Sequence, residues 1–245
     1  MARRTITRTK EENDLIVSNM ADPYSIEDFI TPDEVQYLID LYENTGDKIY
    51  KNTGPVTKDI SKLLIQDPVM KAVFDRIKER IGECGIFTAM YFNVQTPHII
   101  HNDDDFLSPI TYKAITLPLR IEYQEENTGY PKLCFFDQFY LKGPSKFFNG
   151  AQVKVEQFYN EPVYSYEDVH NLSDAGISAE TYHTYLTHLK PNWLKGLSFK
   201  QAEVWRPGNA IVFDAVRLHC ASDFVAQKIK SKLGISIFTA LPRES

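Results

Sequence analysis

The chain has 245 residues, 43% of them hydrophobic and 24% charged, with a net charge of −6. This is ordinary globular composition and suits one large domain. The acidic balance argues against a nonspecific nucleic-acid binder, which presents a basic face, and no apolar run approaches a membrane span.

The opening stretch "MARRTITRTKEEND" is basic and polar and has no apolar h-region, so it does not read as a secretory signal. Residues 1–20 are expected to be a disordered tail, and residues 21–245 a single domain. "ADPYSIEDFI" (21–30) leads into "TPDEVQYLIDLYENTG", where Thr31, Pro32 and Glu34 form a helix start of the capping-box kind. Val35, Leu38, Ile39 and Tyr42 then fall on one stripe, and Gly46 is a stop signal. A second helix begins at Asp67-Pro68, with Met70, Val73, Phe74, Ile77 and Ile81 as its apolar face and Gly82 near its end.

From here the pattern changes to short strands rich in aromatic and β-branched residues. They are 86–94, 114–124, 132–140, 151–159, two around the Pro-Gly-Asn turn of "AEVWRPGNAIVFD" (202–214), and 232–241. Pro118 implies an edge or a bulge in the second of them. Residues 137–200 read as an insertion holding one helix, "SAETYHTYLTHL" (178–189). Helices followed by many short strands predict an α+β domain built on an antiparallel sandwich or barrel. Cys84, Cys134 and Cys220 are far apart and form no CxxC, so neither a disulfide framework nor a thiolate zinc site is expected, and the protein reads as cytoplasmic.

"HIIHNDDDF" (98–106) concentrates two histidines and three aspartates. In extended backbone, residues i and i+2 point to one side, so His101 and Asp103 aim at one point. Alone this is weak evidence, because a solvated acidic turn has the same composition. Calcium is disfavoured because the glycine and distal glutamate of an EF-hand are missing. "VWRPGNAIVFDAVRLHCAS" (204–222) supplies a third ligand in His219. Two histidines and one carboxylate are the ligand set of non-heme Fe(II) oxygenases. An α-keto acid cosubstrate needs a cation for its remote carboxylate. Lys232 is the candidate, with Lys230 second at the same parity.

These segments resemble the 2-oxoglutarate/Fe(II)-dependent dioxygenase superfamily, nearest its prolyl-4-hydroxylase-like branch. The resemblance covers about residue 21 to the end, apart from 137–200. It rests on "YSIEDFITPDEVQYLIDLYE", on "YFNVQTPHIIHND" with Tyr91 ten residues ahead of His101, and on "RPGNAIVFDAVRLHCAS". It implies a double-stranded β-helix, a jelly-roll or cupin-like barrel with N-terminal supporting helices. It also implies Fe(II) on His101, Asp103 and His219, with 2-oxoglutarate and O2 consumed and succinate and CO2 released. The substrate class it suggests is a protein or peptide, prolyl-like, or an amino-acid side chain, with a small molecule as a further option. Lys232 and Tyr91 are the implied cosubstrate contacts, and Thr116 and Arg120 lesser ones. The cation in the family is often an arginine nearer the second histidine, whereas Lys232 stands thirteen residues beyond His219.

Two other readings remain open: a catalytically inactive β-helix binding module, and a metal-dependent barrel enzyme that does not use 2-oxoglutarate. Asp105 shares parity with Asp103 and competes with it as ligand, while Asp104 should face away. His98 reads as a loop residue beside the site, and His170, His183 and His188 as surface or packing residues. Cys220 and Trp205 read as core. Tyr182, Tyr185 and Trp193 in the insertion are candidates for a substrate groove.

Overall fold

The computed structural model describes residues 8–44, 56–58, 66–104, 110–126, 129–143 and 169–242. Its first helix, α1 (Lys10–Ser18), lies inside the expected tail and corrects that reading for residues 8–20. The physical reason is a complete capping box, in which the Thr9 hydroxyl accepts from Glu12 N and the Glu12 carboxylate from Thr9 N. Ile16 then anchors the helix, buried with Phe139, Leu141 and Val216.

Helix α2 (Pro32–Asn44) starts on the same device, with Glu34 and Thr31 exchanging hydrogen bonds of 2.8 and 3.2 Å. Helix α3 (Pro68–Ile81) is capped by Asp67, which accepts from Val69 N and Met70 N. It ends at Gly82, whose φ of 89° a side chain would resist. Helix α4 (Ala179–Tyr185) is capped by Ser178 and stops before the end of the stretch that predicted it.

The strands are β1 (Tyr24–Ile26), β2 (Val56–Lys58), β3 (Gly85–Val94), β4 (Thr111–Tyr123), β5 (Lys132–Phe139), β6 (Phe199–Val204), β7 (Ala210–Asp214), β8 (Arg217–Ala221) and β9 (Ile229–Ala240). They form a six-stranded sheet, β1-β7-β4-β9-β3-β2, and a three-stranded sheet, β6-β5-β8. Every pairing is antiparallel. β4 is an interior strand, and Pro118 is accommodated by a register slip against β9 between Pro118 and Arg120, the bulge that a proline without an N–H requires.

Side-chain alternation sorts the core into layers. The outer face of the large sheet, including Tyr91, Leu117, Ile235 and Ile237, packs on Leu38 and Tyr42 of α2 and on Met70, Val73 and Ile77 of α3. Its inner face, with Ala114, Ile211 and Phe213, meets Leu133 and Phe135 of the small sheet together with Trp205. The back of the small sheet, Cys134, Phe136, Leu218 and Cys220, is covered by Leu186, Leu189, Leu194 and Leu197. Those leucines belong to the connection between β5 and β6. The strand expected at 151–159 lies outside the described residues. Among the described residues no helix is long and apolar enough to cross a membrane.

Candidate metal centre

His219 sits mid-strand on β8 and faces the space between the sheets, its ring 4.6 Å from Phe213 and 5.9 Å from Phe135. His101 lies opposite it as a one-residue antiparallel bridge: each N–H donates to the other's carbonyl at 2.9 Å. This backbone pair brings the two rings to a centroid separation of 4.3 Å. Asp103, two residues on, donates its N–H to Ala215 O at 2.8 Å and returns its carboxylate to the same point. Asp103 Oδ1 is 3.6 Å from His101 Nε2, and Oδ2 is 3.5 Å from His219 Nε2. The three donors all lie within 4.8 Å of one another.

The tautomers follow from the backbone. His101 Nδ1 lies 2.7 Å from Ile99 O, and His219 Nδ1 lies 3.0 Å from Arg217 O. A carbonyl only accepts, so Nδ1 is the donor in each ring, and each Nε2 faces Asp103 and is the atom left for a metal. Burial, followed by the neighbouring His219, holds the His101 pKa well below the usual imidazole range and keeps it neutral. Burial works against the charge on Asp103, but His219 and His101 beside it outweigh that and hold its pKa below the usual range. Two imidazoles and one carboxylate are a donor set for a divalent first-row ion. An ion about 2.1 Å from each donor holds neighbouring donors roughly 3–3.5 Å apart, close to the 3.6 and 3.5 Å between Asp103 and the two imidazoles.

Lys232 is the second feature of this space. It lies on the inner face of β9, buried, with Nζ 5.0 Å from the centre of the Trp205 ring and 5.2 Å from that of Phe224. Among the described residues Nζ has no carboxylate or hydrogen-bond partner. Burial lowers its pKa to about 8, opposed by the nearby thiols of Cys134 and Cys220. Gly234, two residues on and on the same face, is what lets Trp205 come so near. A Cβ there would stand 2.9 Å from Trp205 Cζ2, 2.9 Å from Leu117 O and 2.8 Å from Phe92 Cζ.

Other expected site residues are placed elsewhere. Tyr91 pairs with Ile235, not with a residue of the Lys232 face, so its side chain enters the helix layer. There its hydroxyl donates to Leu38 O at 2.8 Å, and burial drives its pKa well above the usual phenol range. This corrects its assignment as a cosubstrate contact. Lys230 is exposed, 3.7 Å from Glu122. Arg120 turns outward to Glu43, 2.9 Å away, whereas Thr116, paired with Ser236 and Ile211, faces inward.

Asp105 lies outside the described residues. Asp104 does face away from the donors, into a buried ion pair with Arg8 that sequence reading missed. His98 stacks edge-on against His101 at 5.3 Å. His170 stacks on Phe139 at 4.7 Å, and His183 is exposed on α4. Burial, with the Lys232 charge, lowers the His188 pKa against the opposing effects of Asp223 and the His98 backbone. Of the insertion aromatics, Tyr182 donates to Leu189 O at 3.1 Å and Tyr185 stacks on Phe199, both packed on the small sheet's outer core.

No family model matches the sequence, and no curated protein does. Solved structures do match the fold. The non-heme alpha ketoglutarate dependent epimerase SnoN from nogalamycin biosynthesis superposes with a TM-score of 0.51 at 14% identity, over 94% of this chain and 82% of its own. The non-heme alpha ketoglutarate dependent carbocyclase SnoK from the same biosynthesis superposes with a TM-score of 0.50 at 11% identity, over 98% of this chain and 87% of its own. SnoN has also been crystallised with Fe3+, alpha ketoglutarate and nogalamycin RO; that structure gives a TM-score of 0.51 at 13% identity, over 94% of this chain and 82% of its own. At such identities the likeness is one of fold.

Proposed function

We propose that the protein is an Fe(II)- and 2-oxoglutarate-dependent oxygenase, with His101, Asp103 and His219 as the iron ligands and Lys232 as the cosubstrate's cation. The observation that carries the reading is the convergence of two imidazole Nε2 atoms, each ring anchored through its Nδ1, and one carboxylate between the sheets. We read the two facing antiparallel sheets, a fold that superposes on SnoN, as a double-stranded β-helix. Bound iron, with O2 and 2-oxoglutarate, supplies the oxidising power, and the cosubstrate leaves as succinate and CO2.

The chain's own part is binding, orientation and exclusion of water. Ile99 O and Arg217 O keep the imidazole protons away from the metal side. Asp103 contributes one negative charge against a divalent ion. The Lys232 ammonium, without an acidic partner among the described residues, offers a charge-assisted bond to a remote carboxylate. Trp205 and Phe224 keep bulk water from that contact. A buried cation with ring faces but no counter-ion among the described residues favours a keto-acid enzyme over a metal-dependent barrel without one. A centre whose three donors share one register favours an enzyme over an inactive binding module.

The finer reading, hydroxylation within the prolyl-4-hydroxylase-like branch, remains part of the proposal. SnoN and SnoK are both named for nogalamycin biosynthesis, which weighs toward a small molecule over a peptide.

Anaerobic titration with Fe(II) and then 2-oxoglutarate tests the proposal. A visible metal-to-cosubstrate charge-transfer band is expected, and its absence would remove the keto acid from the reading. His101→Ala, Asp103→Ala and His219→Ala should each abolish the band and the Fe(II)-dependent release of CO2 from 2-oxoglutarate. An active Asp103→Ala beside an inactive Asp105→Ala would move the carboxylate ligand to Asp105.

A further inference from the structure

Asp104 stands next to a proposed metal ligand and turns the opposite way. Arg8 Nη1 donates to its Oδ2 at 2.7 Å and Arg8 Nη2 to its Oδ1 at 2.5 Å. Arg8 Nη1 also donates to Leu141 O at 3.0 Å. The two side chains are 1% and 0% exposed. A fully buried ion pair contributes little net stability, because desolvation offsets the attraction. What it does supply is geometry, since a planar fork on a carboxylate admits essentially one arrangement.

The neighbourhood shows what that geometry serves. Four consecutive residues are tied down, each to a different partner. His101 is bridged to His219, and Asn102 Nδ2 donates to Tyr140 O and Gly143 O at 3.2 and 3.1 Å. Asp103 N donates to Ala215 O, and the Asp104 side chain is clamped by Arg8. The Asp103 carboxylate faces the two imidazoles, so its direction depends on the backbone on either side of it. Arg8 is itself held firmly, because the segment it opens is pinned at its far end. There Lys113 Nζ donates to Asn19 O at 2.8 Å, and Arg217 Nη2 donates to Ala21 O at 3.2 Å.

We infer that Arg8 is a positioning residue of the metal centre: by clamping Asp104 it fixes the backbone behind Asp103 and aims that carboxylate at the point shared by His101 and His219. The inference rests on the metal reading above. It assigns the N-terminal segment a role in metal binding that its distance in sequence conceals.

Co(II) binding to the full-length, metal-free protein, followed by its visible d–d absorption, tests this, with thermal unfolding of the same samples as the measure of fold. Arg8→Ala should weaken Co(II) binding by about tenfold or more and shift the band, the size of effect seen when a group supporting a metal ligand is lost. Arg8→Lys should recover part of the affinity. Thr9→Ala removes the cap of α1 but leaves the ion pair; it should lower the unfolding temperature while keeping Co(II) affinity within about twofold. Equal losses in Thr9→Ala and Arg8→Ala would reduce Arg8 to a general structural role and overturn the inference.

The double variant Arg8→Ala/Asp104→Ala removes both charges and keeps the question answerable if Arg8→Ala alone does not fold. Weakened binding in it supports the inference. Wild-type binding and an unshifted band would mean that the Asp104 charge left without Arg8, not lost positioning, caused any effect, and would overturn it. Absence of Co(II) binding by the wild-type protein would instead remove the metal reading, and the inference with it.

Discussion

Lys232 has exchanged water for two aromatic faces, and ring quadrupoles compensate an ammonium only in part. Burial therefore lowers its pKa to about 8. The sign for ligand binding follows. The ammonium exists below that pKa, so affinity for 2-oxoglutarate should hold through neutral pH and fall as pH rises above about 8. Lys232→Ala forfeits a charge-assisted bond of about 1.5–3 kcal/mol. At about 1.4 kcal/mol per decade, that weakens 2-oxoglutarate by roughly one to two orders of magnitude. Titration calorimetry on metal-loaded, O2-free protein is the measurement, and metal affinity should stay unchanged.

For stability the sign is opposite. The folded pKa lies below the unfolded value of 10.5, so the unfolded chain holds more protons between about pH 8 and 10.5, and stability rises with pH in that window. Lys232→Met should remove this dependence and raise the unfolding temperature of the metal-free protein at pH 7. A lower unfolding temperature would mean that the ring contacts outweigh the desolvation.

At the scale of elements, β8 has two faces with different tasks. One carries His219 toward the metal, and the other presents Leu218 and Cys220 to the leucines of residues 186–197. Those leucines, with Leu186 and Leu197 at 0% exposure, are core in every energetic sense. Leu197→Ala should cost about 2–5 kcal/mol, while volume-conserving Leu197→Met should cost less than about 1.5 kcal/mol. Urea unfolding measures both. Replacing 169–198 by a short linker should expose the back of the small sheet and prevent soluble folding. A soluble trimmed protein that still binds metal would show that this connection serves substrate recognition alone.

In the whole molecule, the N-terminal segment is tied to strands of both sheets. Asp214 on β7 accepts from Ala21 N and pairs with Lys113 and Arg217, so the end of the N-terminal segment is joined to β4 and β8 in one buried network. Deleting residues 1–20 uncovers the surface under Ile16 and breaks the buried Arg8–Asp104 ion pair. Removing one partner of such a pair costs about 3–5 kcal/mol. The urea midpoint of the truncated protein should fall accordingly. An unchanged midpoint would return the segment to the status of a tail.

Local chemistry was legible from sequence wherever it depends on neighbours a few residues apart. The caps at Thr31 and Asp67, the apolar stripes of α2 and α3, the need for a bulge at Pro118 and the shared direction of His101 and Asp103 all follow from near-neighbour geometry. That Lys232 shares a face with Gly234 and Ser236 followed from β9 alternation alone. Tertiary structure decided what depends on which strands become neighbours. Tyr91 could not be placed from its distance to His101, because only the pairing of β3 with β9 shows that it lies on the opposite face from Lys232. The Thr9–Glu12 box was readable in principle, but Arg8 becomes a buried partner only once the chain folds Asp104, 96 residues away, onto it. Covalent sequence sets propensity and parity along each segment; which face then meets a ligand, a helix or water is set by long-range pairing, and that exists only in the folded chain.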